Sequence, residues 1–392
     1  MPGVHGARNR GGRPVPASGS GPRAIRLGRV TKPRVKLRPE VEQMVPYRQG
    51  RAAAEDAFKL SSNENPFEPL EAVLEAIAES SINRYPEGSA AALRDRLGAR
   101  YGVSPECIQV GAGSVSVLSQ IITAAAAPGD EIVYAWRSFE AYPLLVATAG
   151  ATSIQVPNTP DHRHDLAAML AAITDRTRLV IVCSPNNPTS TVVTEQEFRA
   201  FMAEVPSTVL VVLDEAYAEF VTDAEAVRGE SVIHDYPNLV VLRTFSKAYG
   251  LAGLRIGYAV GEEYLMDAAR AVAIPLSVTE PAQRAAIVSL VHEPELLERV
   301  AHLATLRDRI WEGLVEQGWD TPKPHGNFVW LPTGDDTPVA AGIFEAHGIV
   351  VRALGEGLRV SVGESESVEK LLSASAEVVK MRRTVPSTAT LD

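Results

Sequence analysis

The chain has 392 residues, with 38 Lys+Arg against 48 Asp+Glu and a formal net charge of −10 at pH 7. At 45% hydrophobic and 22% charged it has an ordinary globular composition, long enough for one large domain and a smaller companion. No apolar run reaches the roughly 20 residues that span a bilayer, which excludes an integral helical membrane protein.

The charge is unevenly distributed. Residues 1–38 hold ten basic residues, from Arg8 to Arg38, and no acid, so the remainder carries −20. This stretch is rich in Arg, Gly and Pro and too poor in apolar residues to offset ordering entropy, and it reads as a disordered basic tail. Nucleic-acid attachment and organelle targeting are its functional readings. No aromatic residue interleaves the charges and no amphipathic period appears, so a dispensable extension with no nucleic-acid partner is the better one.

Residues 39–68 read as an N-terminal arm joining the smaller domain. Beyond them helical and strand patterns alternate. LEAVLEAIAES (70–80) and AAALRDRLGARYG (90–102) have helical spacing, the second ended by Gly102. CIQV (107–110) is a short strand leading through GAGS into an apolar helix. Strands follow at EIVY (131–134), TSIQV (152–156), LVIVC (179–183), TVLVVLD (208–214), LVVLR (239–243) and IGYAV (256–260). Continuous apolar strands alternating with helices predict a mostly parallel sheet buried on both faces, a three-layer α/β/α large domain over 69–280. One long helical stretch (281–317), then NFVWL, a helix near 338–347, IVVRAL, GLRVSV and a final helix predict a smaller α+β domain over 281–382. Residues 383–392 read as loose tail. Cys107 and Cys183 sit in apolar runs as small hydrophobes, and with no signal-peptide pattern a reducing cytoplasm is the default.

The chain contains only seven lysines, at 32, 36, 59, 247, 323, 370 and 380. Lys247 lies after an apolar strand, flanked by Ser246 and Gly250. Lysine differs from arginine in that its amine can lose its proton in a protein and attack a carbonyl to form a Schiff base. Asp214 ends another apolar strand, where α/β sheets bind ligands. Tyr217 follows it, Asn187 follows a third strand in SPNNP, and Arg255 lies eight residues past Lys247. Singly, Asp214 reads better as a helix cap, Tyr217 as a core aromatic and Arg359 as a surface charge. Together they match pyridoxal phosphate: a lysine for its aldehyde, a carboxylate for its ring nitrogen, and neutral donors for its 3-oxygen. The GAGS turn (111–114), Ser246 and Arg255 suit its phosphate. DHRHD (161–165) is a polar loop with no matching cluster elsewhere, and no metal site is expected there.

SPNNPT, DEAY and TFSKAYGLAGLRIGYA, supported by SSNENPF, NRYPEG, NFVWL and GLRVSVG, resemble the fold-type I pyridoxal-phosphate aminotransferases of the histidinol-phosphate aminotransferase branch. WRSFEAYP and SPNNPTSTVV resemble its actinobacterial aromatic amino-acid (phenylalanine) aminotransferase subgroup. The resemblance covers about residues 40–375. It implies that Lys247 forms the Schiff base with the cofactor and shuttles the proton, that Asp214 pairs with the pyridine nitrogen, and that Asn187 and Tyr217 hold the 3-oxygen. It implies phosphate binding by Ser114, Val115, Ser246 and Arg255, with Tyr85 reaching the phosphate of a neighbouring subunit in a homodimer with shared sites. Phe139 would stack on the pyridine ring and Arg359 would grip the substrate carboxylate. Three positions depart from the wider family: Ser190 stands where Gly is usual, Val115 and Ser116 replace an acidic pair, and Phe139 replaces a tyrosine. The implied activity is cytoplasmic transamination between an aromatic amino acid and a 2-oxo acid such as 2-oxoglutarate. Histidinol-phosphate transamination is the alternative; another pyridoxal-phosphate chemistry on this fold, or a non-enzymatic binding protein, stand behind it.

Overall fold

The computed structural model describes residues 35–47, 50, 53, 54 and 56–384. The tail readings of residues 1–34 and 385–392 lie outside the described residues. Residues 35–38 are exposed and carry no regular structure, whereas Arg383 and Thr384 are not loose tail: they end the last helix, Ser367–Thr384.

Seven strands form the main sheet: β1 (Ile108–Gly111), β2 (Glu131–Trp136), β3 (Thr152–Pro157), β4 (Thr177–Cys183), β5 (Leu210–Asp214), β6 (Leu239–Thr244) and β7 (Gly257–Val260). Their order is β1-β7-β6-β5-β4-β2-β3, all parallel except β7, which runs antiparallel to both neighbours. The central strands are buried along their length, Arg178 near the start of β4 excepted, because alternate residues serve opposite covered faces. Val180, Val182, Val211, Leu213 and Val241 join one hydrophobic cluster, while Leu179, Ile181, Val212, Val240 and Leu242 join another. Helix α1 (Ser114–Ala125) covers the second face with Val117, Leu118, Ile121 and Ile122. Helix α2 (Glu195–Glu204) covers the first with Phe198, Phe201 and Met202. A capping box between Thr194 and Glu197 satisfies donors at the start of α2.

The expected single helical stretch over 281–317 is two helices, α3 (Glu280–Val291) and α4 (Glu293–Glu316), parted at His292. Pro294 explains the break, since it has no N–H and its ring cannot follow a continuous helix. IVVRAL likewise divides. Ile349–Val350 pairs in parallel with Phe58–Lys59 of the arm. The chain then changes sheet, and β9 (Arg352–Ala353) joins β8 (Phe328–Leu331) and β10 (Leu358–Ser361) in the antiparallel order β9-β10-β8. The arm is tied to this part by backbone bonds from Phe58 to Gly348, from Leu60 to Val350 and from Ser361 to Leu60, each 2.9 Å.

Ser190 shows why glycine suits its position: its φ is 65°, left-handed. The hydroxyl offers a return, because Ser190 Oγ accepts the backbone N–H groups of Gly326 (2.8 Å) and His325 (3.1 Å), and Ser190 O also accepts His325 at 2.8 Å. The loop after β4 is thereby fastened to the loop before β8. Ser190→Ala keeps the backbone strain and leaves the buried Gly326 N–H without its acceptor, costing about 1–3 kcal/mol. Ser190→Gly loses the same acceptor but relieves roughly 1 kcal/mol of left-handed strain. Thermal midpoints should therefore fall in the order wild type, Ser190→Gly, Ser190→Ala; an alanine variant as stable as the glycine one would refute this account.

Candidate active site

The carboxyl ends of β4, β5 and β6 lie side by side, with Cys183 in register with Asp214 and Asp214 with Leu242. Three connections therefore start from one edge of the sheet, where ligands bind in open α/β folds. They carry Asn187, Tyr217 and Lys247. The turn after Lys247 closes by a 3.1 Å bond from Gly250 N to Lys247 O, and Gly250 supplies its φ of 70°. Asn65 of the arm holds the same turn, its Nδ2 donating to Ala248 O (3.0 Å) and Lys247 O (3.3 Å).

Among the described residues no carboxylate is hydrogen-bonded to the Lys247 amine. Nζ donates to the carbonyls of Ser62 and Asn63, both at 3.1 Å, and stands 5.7 Å from the centre of the Tyr217 ring. Burial pushes its pKa down to about 7; the nearby charges of Arg359 and Arg255 act in the same direction and that of Glu64 opposes them. A lysine in this setting is half neutral near physiological pH, the state in which it can act as nucleophile or base.

Asp214 is the buried carboxylate of the set. Burial raises its pKa to about 6, opposed by a 2.7 Å hydrogen bond donated by Tyr142 to Oδ2 and a weaker one from Ala216 N to Oδ1 at 3.3 Å. Tyr142 is fully buried and packs edge-on against Phe139, ring centroids 5.5 Å apart at 87°. Sequence reading passed over Tyr142; FEAYP contains it, but nothing local in that segment points 72 residues ahead to Asp214.

An anion cradle lies across from this carboxylate. Gly113 caps α1 with φ 86°, and the amides of Ser114 and Val115 open the helix. A side chain at Gly113 would run into the Arg255 guanidinium, and one at Gly257 into the Ser114 amide, so glycine lets these groups close in. Arg255 Nη1 donates to Ser246 Oγ at 3.1 Å and Ala252 O at 3.0 Å.

Arg359 completes the crevice. It is 7% exposed, on β10, with Nη1 donating to Asn187 Oδ1 and Nη2 to Ser61 O, both at 2.7 Å. Its Nε is buried with no hydrogen-bond partner in the described residues. Buried donors in native proteins are normally matched, so this one marks a place for an acceptor. Asn63, another residue that sequence reading missed, knits the crevice together. Its Nδ2 donates to Tyr217 Oη (3.0 Å), its Oδ1 accepts Ser361 Oγ (2.8 Å), and its carbonyl receives Lys247. Its sequence signal was SSNENPF, which carries no chemistry of its own.

Lys247, Asp214, Asn187, Tyr217, Arg359 and the flanking Phe139 thus belong to one crevice, with Ser114, Val115, Ser246 and Arg255 forming its anion cradle. Tyr85 stands apart at 85% exposure. His164, expected in a solvated loop, instead turns inward, its Nε2 accepting the Cys183 amide at 3.2 Å; desolvation pushes its pKa down to about 4 and keeps the ring a neutral acceptor. The donor set fits pyridoxal 5'-phosphate: a neutralisable lysine, a buried carboxylate, neutral donors and an amide-plus-arginine cradle for a dianion.

Residues 55–374 match the family model described as aminotransferase class I and II. A protein named aromatic amino acid aminotransferase from Streptomyces coelicolor is 51% identical over 351 residues, covering 88% of this chain and 98% of its own. One of the same name from Thermobifida fusca is 49% identical, covering 86% and 96%. Among solved structures, histidinol-phosphate aminotransferase from Sinorhizobium meliloti in complex with pyridoxal-5'-phosphate superposes with a TM-score of 0.80. It is 28% identical and covers 90% of this chain and all of its own. Aspartate aminotransferase from Thermus thermophilus with maleate, 24% identical, has the same fold with a TM-score of 0.76, covering 88% and 100%. With a partly buried lysine, a buried carboxylate and an anion cradle at one edge of a mostly parallel sheet, and a family match over most of its length, this chain belongs to the class I and II aminotransferases.

Proposed function

We propose that this protein is a pyridoxal 5'-phosphate enzyme that exchanges an amino group between an aromatic amino acid and a 2-oxo acid such as 2-oxoglutarate. The observation that carries the reading is the placement of the Lys247 amine, desolvated and near its neutral point, in a crevice that also holds Asp214 and Arg359. The aromatic preference is supported by relatives of that name at about half identity across most of the chain.

Bound pyridoxal 5'-phosphate supplies an aldehyde and an electron-withdrawing ring. Ser114 and Val115 amides, Ser246 and Arg255 bind its phosphate, while Asp214, kept ionised by Tyr142 against the pull of burial, pairs with the ring nitrogen. Asn187 and Tyr217 donate to the 3-oxygen; the Tyr217 hydroxyl already accepts from Asn63, which turns its own proton away from the arm. Phe139 shields one ring face. Arg359 orients the substrate through its carboxylate, with a planar fork matched to a planar anion. Lys247, neutral, takes a proton and returns it. Hydrogen-bonded to no carboxylate among the described residues, it can alternate between the two states.

A homodimer is part of this reading. Tyr85 (85%) and Ile82 (88%), three residues apart, are large exposed side chains suited to a subunit contact in which Tyr85 reaches the phosphate of a partner. The region 69–280 would form the large cofactor-binding domain and 281–382 the small one. Both cysteines are free thiols, in keeping with a cytoplasmic setting. No helix of the described residues is long and apolar enough to cross a membrane.

The alternative, histidinol-phosphate transamination, uses the same groups and is favoured by the Sinorhizobium neighbour. With glutamate as common donor, kcat/KM for phenylpyruvate should exceed that for imidazole-acetol phosphate by about tenfold or more; a strong preference for the phosphate selects the alternative. Lys247 can be tested without turnover. In cofactor-free protein, labelling of Lys247 by an amine-reactive reagent should rise with pH through a midpoint near 7, because deprotonation creates the reactive amine there instead of near 10.5. A midpoint at the ordinary lysine value would remove the basis for its assignment.

A further inference from the structure

A second arginine stands beside the one that faces the substrate. Arg352 on β9 is the antiparallel register partner of Arg359 on β10. Residues directly opposite in such a pair project from the same face of the sheet, so the two guanidinium groups issue side by side. Their partners differ in kind. Arg359 binds two neutral acceptors, Asn187 Oδ1 and Ser61 O. Arg352 is engaged by a carboxylate: its Nη2 lies 2.9 and 3.0 Å from the two oxygens of Glu140, and its Nε 3.1 Å from Oε2. The side chains retain 15% and 26% exposure, drier than an ordinary surface pair. Glu140 directly follows Phe139, the residue flanking the ring site, so the ion pair joins the end of β2 to the small sheet at the rim of the crevice.

We propose that Glu140 is a specificity-determining residue: by holding Arg352 in a two-point ion pair it sets the anion end of the pocket for a carboxylate and against a phosphate. This rests on the aminotransferase reading of the Arg359 site. A carboxylate has one charge and two oxygens in a plane, and one guanidinium satisfies it. A phosphate ester has up to two charges and three terminal oxygens, and calls for a second cation. Arg352 is the neighbouring cation, and Glu140 withdraws it twice over, by occupying its donors and by placing a negative charge beside the incoming dianion. Discrimination thus comes from a repulsive element as much as an attractive one. The imidazole or phenyl group at the other end of the substrate does not enter the argument, because the carboxylate of phenylpyruvate and the phosphate of imidazole-acetol phosphate are the anionic ends of their molecules.

A mere clamp between two parts of the fold would make a different prediction: loss of either partner would depress both acceptors alike. The test is therefore a ratio, kcat/KM for imidazole-acetol phosphate over kcat/KM for phenylpyruvate, with glutamate as donor. In a ping-pong cycle each value reports only the acceptor half, so the donor cancels. Glu140→Gln should raise the ratio about tenfold or more. Arg352→Gln, which leaves the Glu140 carboxylate without its counter-charge, should lower it. The double variant should lose the gain of Glu140→Gln. Because the single variants are expected to move the ratio in opposite directions, either one that folds is informative. A ratio unchanged within about threefold, or shifted the same way by both, overturns the proposal. A wild-type enzyme that prefers the phosphate would overturn the aromatic reading instead, and the direction of the two shifts would still decide the role of Glu140.

Discussion

The organisation of this protein turns on one unfavourable fact, an amine partly buried at the open edge of a mostly parallel sheet and hydrogen-bonded to no carboxylate among the described residues. Two backbone carbonyls, of Ser62 and Asn63, are the hydrogen-bond partners of Lys247. Dipoles of this kind hold an amine in place without committing it to the charged form, whereas an adjacent carboxylate would fix the proton. The arm is consequently part of the site. Its strand pairing with Ile349–Val350 and the grip of Asn65 on the lysine turn set where those carbonyls stand. Change in the arm should be felt at the chemistry, although the arm lies more than 180 residues from the lysine in sequence.

Asp214 presents the opposite problem, a carboxylate whose burial favours protonation. Here the structure adds a donor: Tyr142 offers its hydroxyl to Oδ2, and the tyrosine is fixed by packing against Phe139 and Tyr134. One short segment after β2 therefore serves the crevice in three ways. Phe139 supplies an apolar wall, Glu140 engages Arg352, and Tyr142 supports the carboxylate. Two groups with opposite needs sit on neighbouring strand ends, and their environments drive both toward neutral pH, to about 7 and about 6. Groups perturbed by desolvation cluster at functional sites, and this lowered amine and raised carboxylate fit that pattern.

The parts legible in sequence were those with a local signature. Apolar runs of five to seven residues located the central strands, because burial on both faces leaves a continuous pattern, and the strand ends then located Asp214 and Lys247. The glycines of GAGS marked the cradle because a positive φ and close approach leave few alternatives to glycine. What stayed hidden was made by contacts between distant segments. Asn63 meets Ser361 across 298 positions, and Glu140 meets Arg352 across 212. Neither partner has a periodicity or composition that names the other. The break at Pro294 and the division of IVVRAL were hidden differently: the helical pattern runs on through both sides of Pro294 and the apolar pattern through IVVRAL, and only the missing N–H of proline and the competing edge of the arm divide them.

The net charge makes sense in these terms. A protein of formal charge −10 must bind an anionic cofactor and anionic substrates, and its basic residues solve this by their choice of partners. Away from the crevice several arginines are matched to acids, Arg243 to Glu215 and Glu219, Arg100 to Glu230 and Glu293, Arg199 to Glu195 and Asp235, while others such as Arg228 and Arg299 donate to backbone carbonyls. In the crevice Arg255 and Arg359 bind neutral oxygens, those of Ser246, Ala252, Asn187 and Ser61. These bonds orient the two guanidinium groups without a directly hydrogen-bonded acid, and cations so placed, Arg359 buried and Arg255 at the exposed end, attract anions that the average surface repels. Arg352 breaks this pattern inside the crevice, having an acid for a partner. In the proposed reading that exception leaves the substrate carboxylate to Arg359, while the cofactor phosphate would have the amides of Ser114 and Val115 beside Arg255 and so would not need a second guanidinium.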